Sequence, residues 1–440
     1  MTIRFYSGAL LLGVVLSCAS TCKEQRISNK PEADSPISIV IPEPSNSVSR
    51  VQFDEEQRCY VNTGNAFALQ CLQWLYSQSA NSFAFSPLSL QYALAMTMNG
   101  ASGETAFEIS RALGFGEDIH GLNNYMFAMM EQLPMVDTTV RLKIVNAMLV
   151  NKKYKVQTSY SSILNNLYYA PIEYVDGSNR QKVVNRINEW ASHNTDGFVD
   201  HFIDLDDISP DYVASVLNTL YFKAQWAEST WGPIFNPEHT NIGQPFYLDN
   251  GRAVTADYMV ASSFDIRYTK RGYYQVVEIP YASNKFAFYI LLPDVKDRTG
   301  LEDTLKNLSF DEWNDVVQAL RTGPEVHLYI PRFDIEKKIN LTAMLSGLGI
   351  KRAFSPNEAQ FNGLFVGREH LWLNAVLQKS KISVSEWGTE AASVTVNDWV
   401  SDAGIKHDEV FFRADHPFVF LIDELSSGVI LFGGVFSGTE

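Results

Sequence analysis

The stretch from Glu386 to Pro417, EWGTEAASVTVNDWVSDAGIKHDEVFFRADHP, constrains the fold more than any other part of the chain. It opens with small residues, Gly388, Thr389, Ala391, Ala392 and Ser393, and continues as the alternation Val394-Thr395-Val396. Small and β-branched residues at period two suit a strand packed between other strands. The segment then turns polar through Asn397-Asp398, Ser401 to Gly404 and the charged run Lys406 to Glu409, which suits an exposed loop. One segment thus carries the chemistry of a buried strand and of a surface loop. A loop this long between β-rich runs is functional more often than it is a plain connector.

The rest of the chain supplies the body that such a loop needs. With 440 residues, of which 46% are apolar and 12% aromatic, it can bury a large core. From residue 51 onward no linker or repeat interrupts it, so residues 51–440 are expected to form one domain. Helical patterns fall at about 58–78, 87–99, 103–113, 119–132, 157–168 and 180–195, with a β-rich stretch at 140–151. From Val213 the sequence turns strongly β, in VASVLNTLYFKAQW, YYQVVEIPY, KFAFYILLP and EVHLYIPRF, with a further helix at 340–348 stopped by Gly347 and Gly349. Helices first and antiparallel strands later predict an α+β domain with an N-terminal helical bundle and large antiparallel β-sheets.

The N-terminus reads as a leader. Arg4 precedes the apolar run from Ala9 to Leu16, which is too short for a permanent membrane span. Val15-Leu16-Ser17-Cys18 resembles a bacterial lipobox, so residues 1–17 are expected to be a signal peptide and Cys18 the site of lipidation; the alternative is an ordinary secretory signal. Residues 19–50, with Pro31, Pro36, Pro42 and Pro44 among polar residues, read as a flexible tether. The protein is therefore expected to be exported, either as a lipoprotein of the outer membrane or cell surface or as a secreted protein, and to meet a membrane only through its lipid.

Several classes are disfavoured. The net charge of −15 speaks against a nucleic-acid partner. Lys152, Lys153 and Lys155 read as a turn at a strand end. Cys59 and Cys71 lie over three helical turns apart and cannot readily bridge. No CxxC or HxxxH spacing occurs, so neither a metal nor a cofactor is expected. The chain has no GxSxG or HExxH, its one SxxK, Ser20 to Lys23, falls in the expected tether, and its eight His stand singly, so no enzyme is expected.

Two motifs resemble those of the serpins. Glu386-Trp387-Gly388-Thr389-Glu390-Ala391-Ala392 is similar to the hinge that opens the serpin reactive loop. Phe412 to Phe420, FRADHPFVF, is similar to the signature just beyond it. The resemblance extends over NSFAFSPLSL, from Asn81 to Leu90, and NTLYFKAQW, from Asn218 to Trp226. It also takes in Val326–Pro331 with Phe333, which it places beside the loop's insertion path.

The resemblance implies a serpin-like fold with an exposed reactive loop, and a suicide-substrate inhibitor of serine, and conceivably cysteine, endopeptidases. The loop is offered as bait, the protease forms an acyl-enzyme, and the cut hinge enters the central sheet as a strand. The protease is then held in a covalent complex by a monomeric inhibitor, because distortion of its oxyanion hole blocks deacylation. Hinge residues Glu386, Gly388, Thr389, Glu390, Ala391, Ala392 and Ser393 are implied, with Thr389, Ala391, Ser393 and Thr395 facing inward.

Ser86, Ser89, Asn218, Gln378 and Trp226 are implied at the point where the sheet opens, Gln378 standing where the family often has His. The usual count of sixteen residues from Glu386 gives Asp402-Ala403 as the reactive bond. Val400-Ser401, Ala403-Gly404 and Lys406-His407 are the alternatives. A non-inhibitory serpin that acts as a binding or scaffold protein is the alternative function.

Overall fold

The structure, a computed structural model, describes residues 50–438 except 80, 117, 230–231, 282–283, 368–369 and 389–407, together with the backbone of residues 8–18. In chain order the first half contains β1 (Gly8–Cys18), α1 (Glu55–Gln78), β2 (Phe83–Phe85), α2 (Pro87–Met98), α3 (Gly103–Leu113), α4 (Ile119–Gln132), β3 (Arg141–Asn151), α5 (Thr158–Leu167), β4 (Ile172–Val175), α6 (Arg180–Asn194) and β5 (Tyr212–Lys223). There follow β6 (Glu228–Ser229), β7 (Gly232–Pro233), β8 (Asn241–Tyr247), β9 (Ala253–Ser263), β10 (Arg267–Arg271), β11 (Tyr274–Tyr281) and β12 (Phe286–Pro293). The last part holds α7 (Arg298–Asn307), α8 (Phe310–Ala319), β13 (Glu325–Pro331), β14 (Phe333–Asn340), α9 (Thr342–Gly347), β15 (Leu371–Val384), β16 (Glu409–Arg413), β17 (Phe418–Glu424) and β18 (Val429–Phe436).

Three sheets organise all of these strands but β6 and β7, which pair only with each other among the described residues. A central sheet runs β14-β15-β1-β5-β3-β4, a second β10-β11-β12-β17-β18-β2, and a third β16-β13-β9-β8. Helix α2 lies between the central and second sheets, touching β5 and β18, and all twelve of its residues are buried. Apart from Ser89, Gln91 and Thr97, each of which makes a hydrogen bond, its sequence is apolar all round, as a helix buried on every side requires. Its start is set by Ser86, whose hydroxyl caps the Ser89 amide at 3.1 Å, with Pro87 next. On the opposite face of the sheet, Val183, Ile187 and Trp190 of α6 pack a second core against Val145, Leu217 and Tyr221. With both faces covered, β5 is buried along all but its last residue, which is why its sequence reads as a continuous apolar run rather than an alternation.

The expected leader lies inside this sheet. Residues Gly8–Cys18 pair antiparallel with β15 on one side and with β5 on the other. The same property serves both descriptions, because an export leader and a strand covered on both faces each call for an unbroken apolar run. Since β1 is antiparallel to both neighbours, β15 and β5 run parallel to one another.

The second half is less purely β than its sequence pattern predicts. Helices α7 and α8 interrupt it, each opened by a cap: Asp297 accepts from the Thr299 amide at 2.8 Å and Ser309 from the Glu312 amide at 3.1 Å. The segment Val326–Pro331 with Phe333 is also placed differently. Strand β13 lies in the third sheet between β9 and β16, and β14 is an edge of the central sheet, screened from the β15/β5 interval by β15. It borders the strand in which the loop ends, not the path the loop would enter. Cys59 is exposed and Cys71 buried, both free. No described helix is long and apolar enough to cross a membrane.

Candidate functional site

Four of the residues expected where the sheet opens, Ser86, Ser89, Asn218 and Gln378, come together, whereas Trp226 stands apart from them at the root of the loop. Gln378 on β15 and Asn218 on β5 stand at the same level, both opposite Leu12 of β1. Each is tied to the first turn of α2. Gln378 Nε2 donates to the Ser86 carbonyl at 3.0 Å, and the Ser86 amide donates to Gln378 Oε1 at 3.3 Å. The Ser89 hydroxyl donates to Asn218 Oδ1, and Asn218 Nδ2 donates to Asn146 Oδ1 on β3 at 2.6 Å. All five residues are fully buried. One helix end thus pins both strands that flank β1 through buried hydrogen bonds. The third member, Asn146, which also donates to the Tyr168 carbonyl at 2.9 Å, is absent from the sequence expectation. A polar residue in the apolar run KIVNAMLV was the signal available.

The root of the loop is built as a pivot. After β15, Ser385 and Gly388 pair in a tight turn, with the Gly388 amide donating to the Ser385 carbonyl at 3.1 Å. Glu386 inside it is buried and held by Arg332, whose Nε lies 2.7 Å from both carboxylate oxygens. The Thr240 hydroxyl donates to the same carboxylate. Trp226 stacks on Tyr281 with centroids 4.6 Å apart, and its indole N–H donates to the Ser385 carbonyl at 2.7 Å. Gly388 has φ +78°, and a Cβ there would stand 2.5 Å from the Ala224 carbonyl oxygen and the Trp226 amide nitrogen. Only glycine fits this approach. Arg332 and Thr240, far from the hinge in sequence, carried no signal that linked them to it.

The far end of the loop enters β16, which runs parallel to β13 at the edge of the third sheet. In the signature that follows, Asp415 receives Lys296 Nζ at 2.7 Å and lies 2.8 Å from His416 Nδ1, while His416 Nε2 donates to the Pro293 carbonyl at 2.7 Å. Burial pushes the Asp415 carboxyl up, but the His416 contact and the Lys296 ammonium outweigh it and hold the group below the usual carboxylate range. His416 is a buried bracket between strands. Of the expected site residues, Glu386, Gly388, Ser86, Ser89, Asn218, Gln378 and Trp226 are therefore placed. Thr389, Glu390, Ala391, Ala392, Ser393, Val400, Ser401, Asp402, Ala403 and Lys406 lie outside the described residues, as does the side chain of Cys18.

Three sheets around a buried helix, with one strand seated between two parallel strands of the central sheet and a long loop leaving the end of one of them, define the class of fold. Residues 62–438 match the family model described as serpin (serine protease inhibitor), and the chain belongs to the serpin family. It is 30% identical over 395 residues to Serpin B11 of Homo sapiens, covering 85% of this chain and 98% of that protein. It is likewise 30% identical over 367 residues to the leukocyte elastase inhibitor of Xenopus laevis, covering 82% and 94%. The native-state crystal structure of tengpin, a thermophilic serpin, has a TM-score of 0.76 at 27% identity and covers 90% of this chain and 97% of its own.

Proposed function

We propose that the protein is an exported inhibitor of serine endopeptidases whose reactive loop, once cut, enters the central sheet between β15 and β5. It is not itself an enzyme. Residues 1–17 are removed on export, Cys18 carries the lipid, and the interval that β1 fills is thereby released to the loop. The observation that carries this reading is a match of register.

Ser385 pairs with Gly388 across the turn at the top of β15. Continued residue by residue, that pairing sets Thr389 opposite Val384, Ala391 opposite Ile382, Ser393 opposite Ser380 and Thr395 opposite Gln378. Residues directly opposite share a face of a sheet. Val384 and Ile382 belong to the core on the α2 side, so the four small residues would be the ones that enter it. Thr395 would take the place of Leu12 between Gln378 and Asn218. Ser393 would meet the Ser380 hydroxyl, which is buried without a hydrogen-bond partner among the described residues.

The length of β15 also bears on the reactive bond. Strand β1 passes one unpaired residue, Asn374, because Val15 faces Ala375 and Leu16 faces Leu373. With the same bulge, loop residues 389–401 would reach from Val384 to Leu371, the end of β15, and Asp402 would be the first residue beyond it. An acyl bond at Asp402 would emerge at the foot of the sheet after thirteen inserted residues. A bond after Val400 would leave the acyl carbon inside the sheet, and one after Lys406 would leave four more residues of slack than Asp402 does.

The test mixes the chain lacking residues 1–17 with a panel of elastase-like, trypsin-like, chymotrypsin-like and Asp-specific proteases. A band at the summed mass that survives denaturation, with a released peptide beginning at Ala403, is expected. Cleavage in the loop with no covalent band from any of them would sink the inhibitor reading in favour of a binding or scaffold role.

A further inference from the structure

Beside the far end of the loop, Glu325 and His327 of β13 and Glu409 of β16 bring their ligand atoms within 4.8 Å of one another. Two features of this group call for an explanation. Glu325 and Glu409 are directly opposite on neighbouring strands, a pairing of like charges that costs stability unless something neutralises it. Among the described residues no Lys or Arg pairs with either carboxylate. In addition, His327 Nε2 is buried and has no hydrogen-bond partner among the described residues, while Nδ1 lies 2.7 Å from the Ser262 hydroxyl. The ring is clamped further by stacking on Phe411, with centroids 4.6 Å apart.

With Nδ1 donating to the Ser262 hydroxyl, the tautomer that leaves the lone pair on Nε2, the ring would have the arrangement of a metal-bound imidazole. We infer that Glu325, His327 and Glu409 form a site for a divalent transition-metal cation of the Zn2+ kind. One imidazole and two carboxylates plus solvent make a suitable four-ligand set for it. Metal–ligand bonds of about 2.0–2.1 Å demand ligand atoms roughly 3.3 Å apart, so binding would require the exposed Glu409 side chain to move inward. Ser262 is a positioning residue, holding the His327 ring through Nδ1.

The site lies across the seam by which the loop's last strand is attached. Glu409 begins β16, and the Glu325 amide donates to the Asp408 carbonyl at 2.8 Å at the same point. If the uncut loop entered the central sheet as proposed above, residues 389–401 would extend over about 43 Å, at roughly 3.3 Å each. The seven residues 402–408 can return only about 23 Å at that rise. Strand β16 would therefore have to peel from β13 before an uncut loop could insert fully, and a metal bridging the two would resist that. This consequence depends on the inhibitor reading, whereas the metal site itself does not.

The test titrates ZnCl2 into the full chain by calorimetry, beside the variants Glu409→Gln, His327→Gln and Ser262→Ala, with Co2+ absorption as a second readout. One site is expected whose Kd rises at least about tenfold in Ser262→Ala and further in the two ligand variants, with the visible Co2+ bands lost in Glu409→Gln. Glu409 is exposed at a strand end, so that variant is expected to fold. No binding, or binding unchanged in Glu409→Gln and His327→Gln, would overturn the site. Should the site bind, loss of loop accessibility on prolonged incubation of the uncut chain lacking residues 1–17 should slow at least twofold with Zn2+; an unchanged rate would reject the clamp while leaving the site standing.

Discussion

At the scale of single residues, the account rests on side chains whose surroundings admit few substitutes. Asn218 serves Ser89 and Asn146 at once, so Asn218→Ala would strand buried polar groups on two neighbouring elements. A loss of about 1–3 kcal/mol is expected in denaturant unfolding. Gly388→Ala drives a methyl into the backbone of Ala224 and Trp226 in a conformation that favours glycine, and should cost about 1–3 kcal/mol. Asp423 shows the opposite effect. Burial, with the neighbouring Glu278 and Glu424 carboxylates, raises its carboxyl well above the ordinary range. The stability it contributes is present below the pKa of the unfolded chain and is lost as pH rises toward the folded value. Asp423→Asn should therefore raise the unfolding temperature at neutral pH, and the gain should vanish once the pH falls below the ordinary carboxylate range. A gain independent of pH would mean that charge is not the cause.

At the scale of elements, legibility follows how local the physics is. The cap at Ser86-Pro87, the buried helix behind it and the apolar strand VASVLNTLYF are written in adjacent residues and were readable as such. The pairing of Gln378 with Ser86 was accessible only through a family pattern, and the Glu386–Arg332 pair through neither route, since nothing local joins residues 54 positions apart. Helices α7 and α8 escaped the sequence reading because strongly β segments surround them on both sides. The eleven residues of β1 show why composition can be ambiguous: one apolar run fits both export and a central strand. The hinge offers the sharpest element-scale prediction. Ser393→Glu would place a charge against the buried Ser380, and Thr395→Arg one between Gln378 and Asn218. Each should slow insertion enough to divert most of the protein from covalent complex to plain cleavage, read as the ratio of the two bands. An unchanged ratio would mean these positions do not enter the core.

At the scale of the whole molecule, β15 and β5 are a parallel pair separated by β1, antiparallel to both, and the function proposed above would put the cut loop in the same place. Because only one can be there, the full-length precursor and the chain lacking residues 1–17 should behave differently. The precursor should form no covalent complex with a protease that cuts its loop, and its unfolding temperature should hardly change on cleavage. The shortened chain should form the complex, and loop cleavage should raise its unfolding temperature. Equal behaviour of the two would show that residues 8–18 do not compete with the loop. The most direct measurement is a crystal structure of the shortened chain after cleavage in the loop. The account predicts residues 389–401 as a strand between β15 and β5, with Thr395 between Gln378 and Asn218 and Ser393 beside Ser380. A cleaved loop lying outside the sheet, with β15 and β5 still without a strand between them, would contradict it.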